Sequence, residues 1–195
     1  MFENCSEVKE LNLYNFNTSN VIYLNDMFSE CTSLKSININ INNWNTSNVI
    51  NMSYLFYNCK SLMKLDIAQF DTSKVIDMSY MFYNCSLIIE LKLSNFNFSN
   101  VMKMSNMFDG WKNLIYLDIH NFNIQNNART KYMFSYLCNN DKNKLKNKFK
   151  NINKNAFEDS DDTYINSFML NIFPSYSDIL DKEKKDKIFK ITKYY

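Results

Sequence analysis

Four cysteines stand at one repeating position: Cys5, Cys31, Cys59 and Cys85, at steps of 26, 28 and 26 residues, with Cys138 one place late in a later copy. Thiols in such a row could hold a metal as thiolates or join in a ladder of disulfides. Zinc sites use close pairs such as C-x₂-C, and the chain has none. Stacked copies would bring neighbouring cysteines to about 5 Å, a distance that admits a disulfide, but side chains in one column run parallel rather than toward each other. The remaining reading is a buried, reduced thiol acting as a small hydrophobe, and it is the expectation here; no metal and no cofactor is expected. His120, the only histidine, follows a strand at a slot filled elsewhere by Tyr14, Asn40, Ala68 and Ser94, a surface position rather than a catalytic one. With a single glycine, Gly110, no Gly-rich phosphate loop can be written.

Two further sets carry recognition chemistry. Tyr54 and Tyr80 (with Tyr132) share one repeat position and Tyr57 and Tyr83 another, each next to an apolar position, so the rows are expected at the edge of the core, where tyrosine suits protein or glycan recognition. The second set comes from segments that alternate apolar and polar residues: Lys64 and Asp66, Glu90 and Lys92, Tyr116 and Asp118, preceded by Ser36 and Asn38. Period two is strand periodicity, so these residues are expected to face outward from short strands. Both sets are candidate ligand-binding residues, for a protein or a glycan.

The repeat positions them. "NMSYLFYNC" (Asn51–Cys59) returns as "DMSYMFYNC" (Asp77–Cys85). Phe2, Phe28, Phe56, Phe82, Phe108 and Phe134 mark steps of 26, 28, 26, 26 and 26, and an aromatic corner recurs at Phe16, Trp44, Phe70, Phe96 and, degenerately, Phe122. The 28-residue step comes from two extra residues near Asn40–Asn43. Each copy reads as a strand motif, such as Leu62-Leu65-Ile67, then a segment whose apolar members, Val75, Met78, Met81, Phe82 and Cys85, share one side of a short helix capped by Thr72-Ser73. A unit this small buries its apolar face only against a neighbour. The fold expected is therefore α/β: a right-handed, leucine-rich-repeat-like solenoid of about five coils over residues 1–138, with a helical cap or charged helical tail over 139–195. At each corner Asn17, Asn45, Asp71, Asn97 and Asn123 are expected to bond the turn backbone.

The repeat, with its aromatic corner, Met-Phe pair and Cys, resembles the 26-residue repeat of BspA-like leucine-rich repeat surface proteins over roughly residues 1–138. Trp111 replaces the Cys in the fourth copy, and Asn127 and Leu137 stand for Val and Cys in the fifth. The resemblance implies a non-catalytic adhesion or surface-interaction module, at the cell surface or secreted. No signal peptide is legible at the N-terminus, which otherwise points to a cytoplasmic scaffold or a repeat fragment.

Charge excludes other classes. Residues 1–138 carry 10 Lys/Arg against 11 Asp/Glu, and residues 139–195 carry 12 against 9. Neither is the basic surface of a nucleic-acid binder, and no run of 18 apolar residues spans a membrane. The first coil begins at "MFENC", in mid-repeat, so Met1, Phe2, Cys5, Val8, Leu11 and Leu13 would form an open apolar end favouring self-association, or would follow missing upstream repeats. After Cys138, "YINSFMLNIF" (Tyr164–Phe173) reads as a buried helix before Pro174, and Tyr176–Ile191 as a charged one.

Overall fold

The computed structural model describes residues 1–40, 43–119, 122–136 and 153–158. Four short strands, β1 (Glu10–Leu13), β2 (Ser36–Ile39), β3 (Glu90–Lys92) and β4 (Tyr116–Asp118), pair as two parallel two-stranded sheets, β1–β2 and β3–β4. The register is one repeat: Leu11 faces Ile37 and Leu91 faces Leu117. A second line of contact consists of single parallel bridges, Tyr23 to Asn51, Asn51 to Asp77, Asp77 to Lys103 and Lys103 to Arg129. Successive repeats therefore lie on one another in parallel.

The expected helix is absent. Among the described residues there is no α-helix, and one 3₁₀ turn, Lys154–Phe157, is the sole helical element. The strand-plus-helix coil, and with it the leucine-rich-repeat-like solenoid, is overturned by a repeat built mostly of turns. The reason lies in the backbone. Along Met78–Cys85 the amides of Met78, Tyr80, Phe82 and Asn84 donate to carbonyls of Lys103, Ser105, Met107 and Asp109 in the next repeat, at 2.8–3.1 Å. The intervening Met81, Tyr83 and Cys85 donate to residues three back in their own repeat, Met78, Tyr80 and Phe82. A helix would bond its amides beyond the first turn internally and could not send alternate amides along the whole segment to the next repeat. The alternation requires left-handed residues, and Tyr80 (φ 58°) and Asn84 (φ 56°) supply them, as do Asp26, Glu30, Tyr54, Asn58, Asn106 and Gly110 at equivalent places. Asparagine and aspartate accept this conformation readily, whereas tyrosine does so at a cost. The segment is also too short, and too rich in Ser, Tyr and Asn, to nucleate a helix alone.

The apolar positions read from helical spacing are nonetheless the core: Val75, Met78, Met81, Phe82 and Cys85 are fully buried. Through the core runs a column of phenylalanine rings, Phe2, Phe28, Phe56, Phe82, Phe108 and Phe134, with neighbouring centroids 5.4–5.8 Å apart and planes within 10°. Thr72 does not cap a helix. Its hydroxyl donates to the Asn97 carbonyl (3.1 Å) and accepts from the Asn97 amide (2.7 Å), while Thr18 and Thr46 donate to the next repeat in the same way. At each corner Asn17, Asn45, Asp71 and Asn97 accept from the amide two residues on, at 2.9 Å.

The column continues beyond the readable repeat. Phe157 stacks on Phe134 at 5.3 Å, and the amides of Tyr132 and Phe134 donate to Asn155 and Ala156, so Lys154–Phe157 forms one more rung. The rest of the expected helical cap, including Tyr164–Phe173 and Tyr176–Ile191, lies outside the described residues. At the other end Phe2, Cys5, Val8 and Leu11 are half-buried, Leu13 is buried and Met1 is exposed.

Two substitutions test this architecture. Phe82→Ala removes a ring stacked on both faces, and a loss of about 3–5 kcal/mol in unfolding free energy is expected. Gly110 sits at φ +80°, and a Cβ there would come 3.3 Å from the Asn84 Cα, so Gly110→Ala is expected to cost about 1–2 kcal/mol. Denaturant midpoints check both, and unchanged values would show that neither site carries the stack.

Candidate functional site

The strand face is where the stack opens. Between the paired strands β1–β2 and β3–β4 lies the third copy of the strand motif, and there the ladder stops. The Met63 amide still donates to the Lys35 carbonyl (3.2 Å). Among the described residues, no backbone bond joins Lys64, Leu65 or Asp66 to either neighbouring repeat. Leu65 is half-buried, as are Leu11 and Ile37 in the paired strands β1 and β2, whereas Leu91 and Leu117 are buried. The segment is pinned at both ends, by the Ser86 hydroxyl donating to the Lys60 carbonyl (3.4 Å) and the Asn95 amide group donating to the Ala68 carbonyl (3.1 Å). Between the pins an open cleft of about 550 Å³ separates the third repeat from the fourth, and the break falls next to the 28-residue repeat.

The cleft brings together four of the residues singled out from strand periodicity, Lys64, Asp66, Glu90 and Lys92, all exposed. Glu90 and Lys92 point the same way from β3 and pair at 3.1 Å, an exposed pair of small energetic weight. The Glu90 hydrogen bond and charge raise the Lys92 pKa, favouring its protonated form. The 26-residue step sets Lys64 against Glu90 and Asp66 against Lys92. Tyr116 and Asp118, half-buried, lie beyond them on β4, opposite Glu90 and Lys92.

Period-two reading missed the apolar part of the site. Met63 and Ile89 line the cleft and, with Ile115, are 47%, 51% and 41% exposed at one repeat position; Leu87 adds a fourth apolar side chain. The signal was available: large apolar residues recur every 26 places just before each strand, where Lys9 and Lys35 stand in the first two copies.

The tyrosines form a separate cluster. Tyr54 stacks on Tyr80 (4.7 Å, 10°) and Tyr57 on Tyr83 (5.0 Å, 13°), and edges or tilted rings link the two rows. Tyr54, Tyr57 and Tyr80 are half-buried and Tyr83 is buried, so the ring faces are largely occupied by one another. Burial, then the neighbouring Tyr80 and Tyr57, raise the Tyr54 pKa. Below the cluster Asn84 donates to Asn58 (2.8 Å), and Asn58 to the Glu30 carboxylate (2.7 Å).

Cys31, Cys59 and Cys85 are free and buried, and Cys5 is free and half-buried. Each buried thiol donates to a phenylalanine carbonyl of the preceding repeat: Cys31 to Phe2 (3.0 Å), Cys59 to Phe28 (3.1 Å) and Cys85 to Phe56 (3.1 Å). The same carbonyls accept the amides of Cys5, Cys31 and Cys59. Trp111 takes over in the fourth copy, its indole N–H 2.6 Å from the Phe82 carbonyl. Burial pushes the Cys59 and Cys85 thiols well above their ordinary range, which suits a structural donor and disfavours the reactive thiolate. Among the described residues no group of three or more His, Cys, Asp and Glu is placed to hold a metal. His120 and Cys138 lie outside the described residues.

The chain matches the family described as "Mycoplasma protein of unknown function, DUF285" over residues 1–88 and again over 62–169. It belongs to that family. The two matches overlap across residues 62–88, which include the opened segment and the third cysteine repeat. No curated protein and no solved structure matches the chain.

The thiol column makes stability depend on pH. Because burial raises the folded-state pKa of Cys59 and Cys85 above that of an unfolded thiol, their contribution is complete below the unfolded-thiol pKa of about 8.5 and is lost as pH rises past it, when the unfolded thiols ionise first. Unfolding free energy should be indifferent to these groups up to about pH 7.5. It should then fall by about 1.4 kcal/mol per pH unit for each thiol, and Cys85→Ala should remove one such slope. Rapid native-state alkylation of Cys59 or Cys85 would contradict their placement.

Proposed function

We propose that this protein is a non-catalytic binding module that presents its strand face, centred on the cleft between the third and fourth repeats, to a protein partner. The observation that carries the reading is the interrupted ladder. Among the described residues the other strand segments pair with a neighbour, but the backbone of Lys64–Asp66 has no partner in either neighbouring repeat, beside an exposed apolar stripe and four exposed charges. Exposed apolar side chains rimmed by charge are the composition of a contact surface. Cys31, Cys59 and Cys85, which would be natural nucleophiles of an enzyme, serve as buried hydrogen-bond donors instead. The resemblance to BspA-like surface proteins supports the same class and an encounter at a cell surface; among the described residues no helix is long and apolar enough to cross a membrane.

Protein and glycan arrays probed with the purified chain test the reading, with a Lys64→Ala/Asp66→Ala/Glu90→Ala/Lys92→Ala variant alongside. Protein features are expected to bind, and the variant, folded as judged by its unfolding midpoint, to lose at least about tenfold in affinity. Binding that the variant leaves untouched would move the site off this face. Binding to glycans alone, or to neither array, would overturn the proposal.

A further inference from the structure

We infer that the cleft binds an extended peptide as an added parallel strand along Lys64–Asp66, with an acidic residue opposite Lys64 and a basic residue opposite Asp66. The inference rests on the strand face being the binding surface and names the chemistry of what it binds.

Three observations converge on that occupant. The first is backbone chemistry. Lys64, Leu65 and Asp66 border the cleft, and no main-chain bond ties them to either neighbouring repeat among the described residues. An extended polypeptide carries the donors and acceptors, at strand spacing, that such a segment lacks. Both strand pairs among the described residues are parallel, so a guest continuing the local twist and direction runs parallel too.

The second is charge. Lys64 and Asp66 stand two residues apart, both exposed on either side of half-buried Leu65, and neither forms an ion pair among the described residues. The Asp66 carboxylate accepts one long bond, from the Ala68 amide at 3.4 Å. A parallel guest with acidic, apolar and basic residues in that order meets both charges. The chain contains this triplet in Glu90-Leu91-Lys92, but there the two charges already pair with each other and the backbone is paired to Tyr116–Asp118.

The third is the apolar rim. Met63, Leu87 and Ile89 line the opening. A guest's outer apolar residues can cover them, which a sugar or a small ion would not.

The probe is a fluorescein-labelled, C-terminally amidated Val-Glu-Leu-Lys-Val peptide, compared with its charge-inverted form Val-Lys-Leu-Glu-Val and with a form carrying N-methyl leucine at the centre. Fluorescence anisotropy on the intact chain should show saturable binding of the first, about tenfold weaker binding of the inverted form, and loss of binding on N-methylation, since a blocked amide cannot join a ladder. The Lys64→Glu/Asp66→Lys variant, with unfolding midpoint confirming the fold, should reverse the preference. Equal affinity for both charge orders, a preference that ignores the swap, or tolerance of N-methylation would each overturn the inference. So would an absence of saturable peptide binding. If the arrays still find a protein partner whose binding the four-alanine variant abolishes, the strand face stands as a binding surface and only the extended-peptide occupant is lost.

Discussion

The described repeats depend on a division of labour among backbone amides. In each repeat alternate N–H groups reach forward to the next repeat and the others turn back three residues within their own. Left-handed residues at two places per repeat make that alternation geometrically possible. Among the described residues the result satisfies the buried main chain without α-helix and with little strand. It also sets each side chain over its own copy, so that one favourable contact is repeated: phenylalanine on phenylalanine, threonine hydroxyl to the next carbonyl, cysteine thiol to the preceding one.

The thiol column shows how closely the packing and the hydrogen bonding are joined. A phenylalanine carbonyl has two lone pairs and, in the core, one amide donor; the thiol of the next repeat supplies a second, weak one. Where Trp111 replaces the cysteine, the indole N–H takes over at the same carbonyl and its ring stands edge-on to Phe82 and Phe108. Two side chains of very different volume fill one role because the role is a donor beside an aromatic column.

Against this regularity the strand face is the exception. Its ladder closes in the first two repeats and again in the fourth and fifth, and opens between them. The Ser86 and Asn95 bonds hold the opening at its two ends, so the cleft is framed by the stack. Exposed apolar and charged side chains therefore gather where the repeated backbone solution is suspended.

The sequence by itself determined the period, the 28-residue exception, the identity of the core columns and the outward set at Lys64, Asp66, Glu90 and Lys92, because burial repeats whenever identical units stack. It did not distinguish a helix from a run of turns across Met78–Cys85. Apolar spacings of 3, 3, 1 and 3 suit both, and the choice lies with amides that bond residues 25 or more positions away. The same limit hid the 153–158 rung, since Phe157 follows Phe134 by 23 residues rather than 26 and declares itself through ring stacking. It also hid the cleft, since "LMKLDI" alternates like its neighbours. Whether an alternating segment pairs with the repeats on either side is settled by their positions in space, and that only the tertiary structure decided.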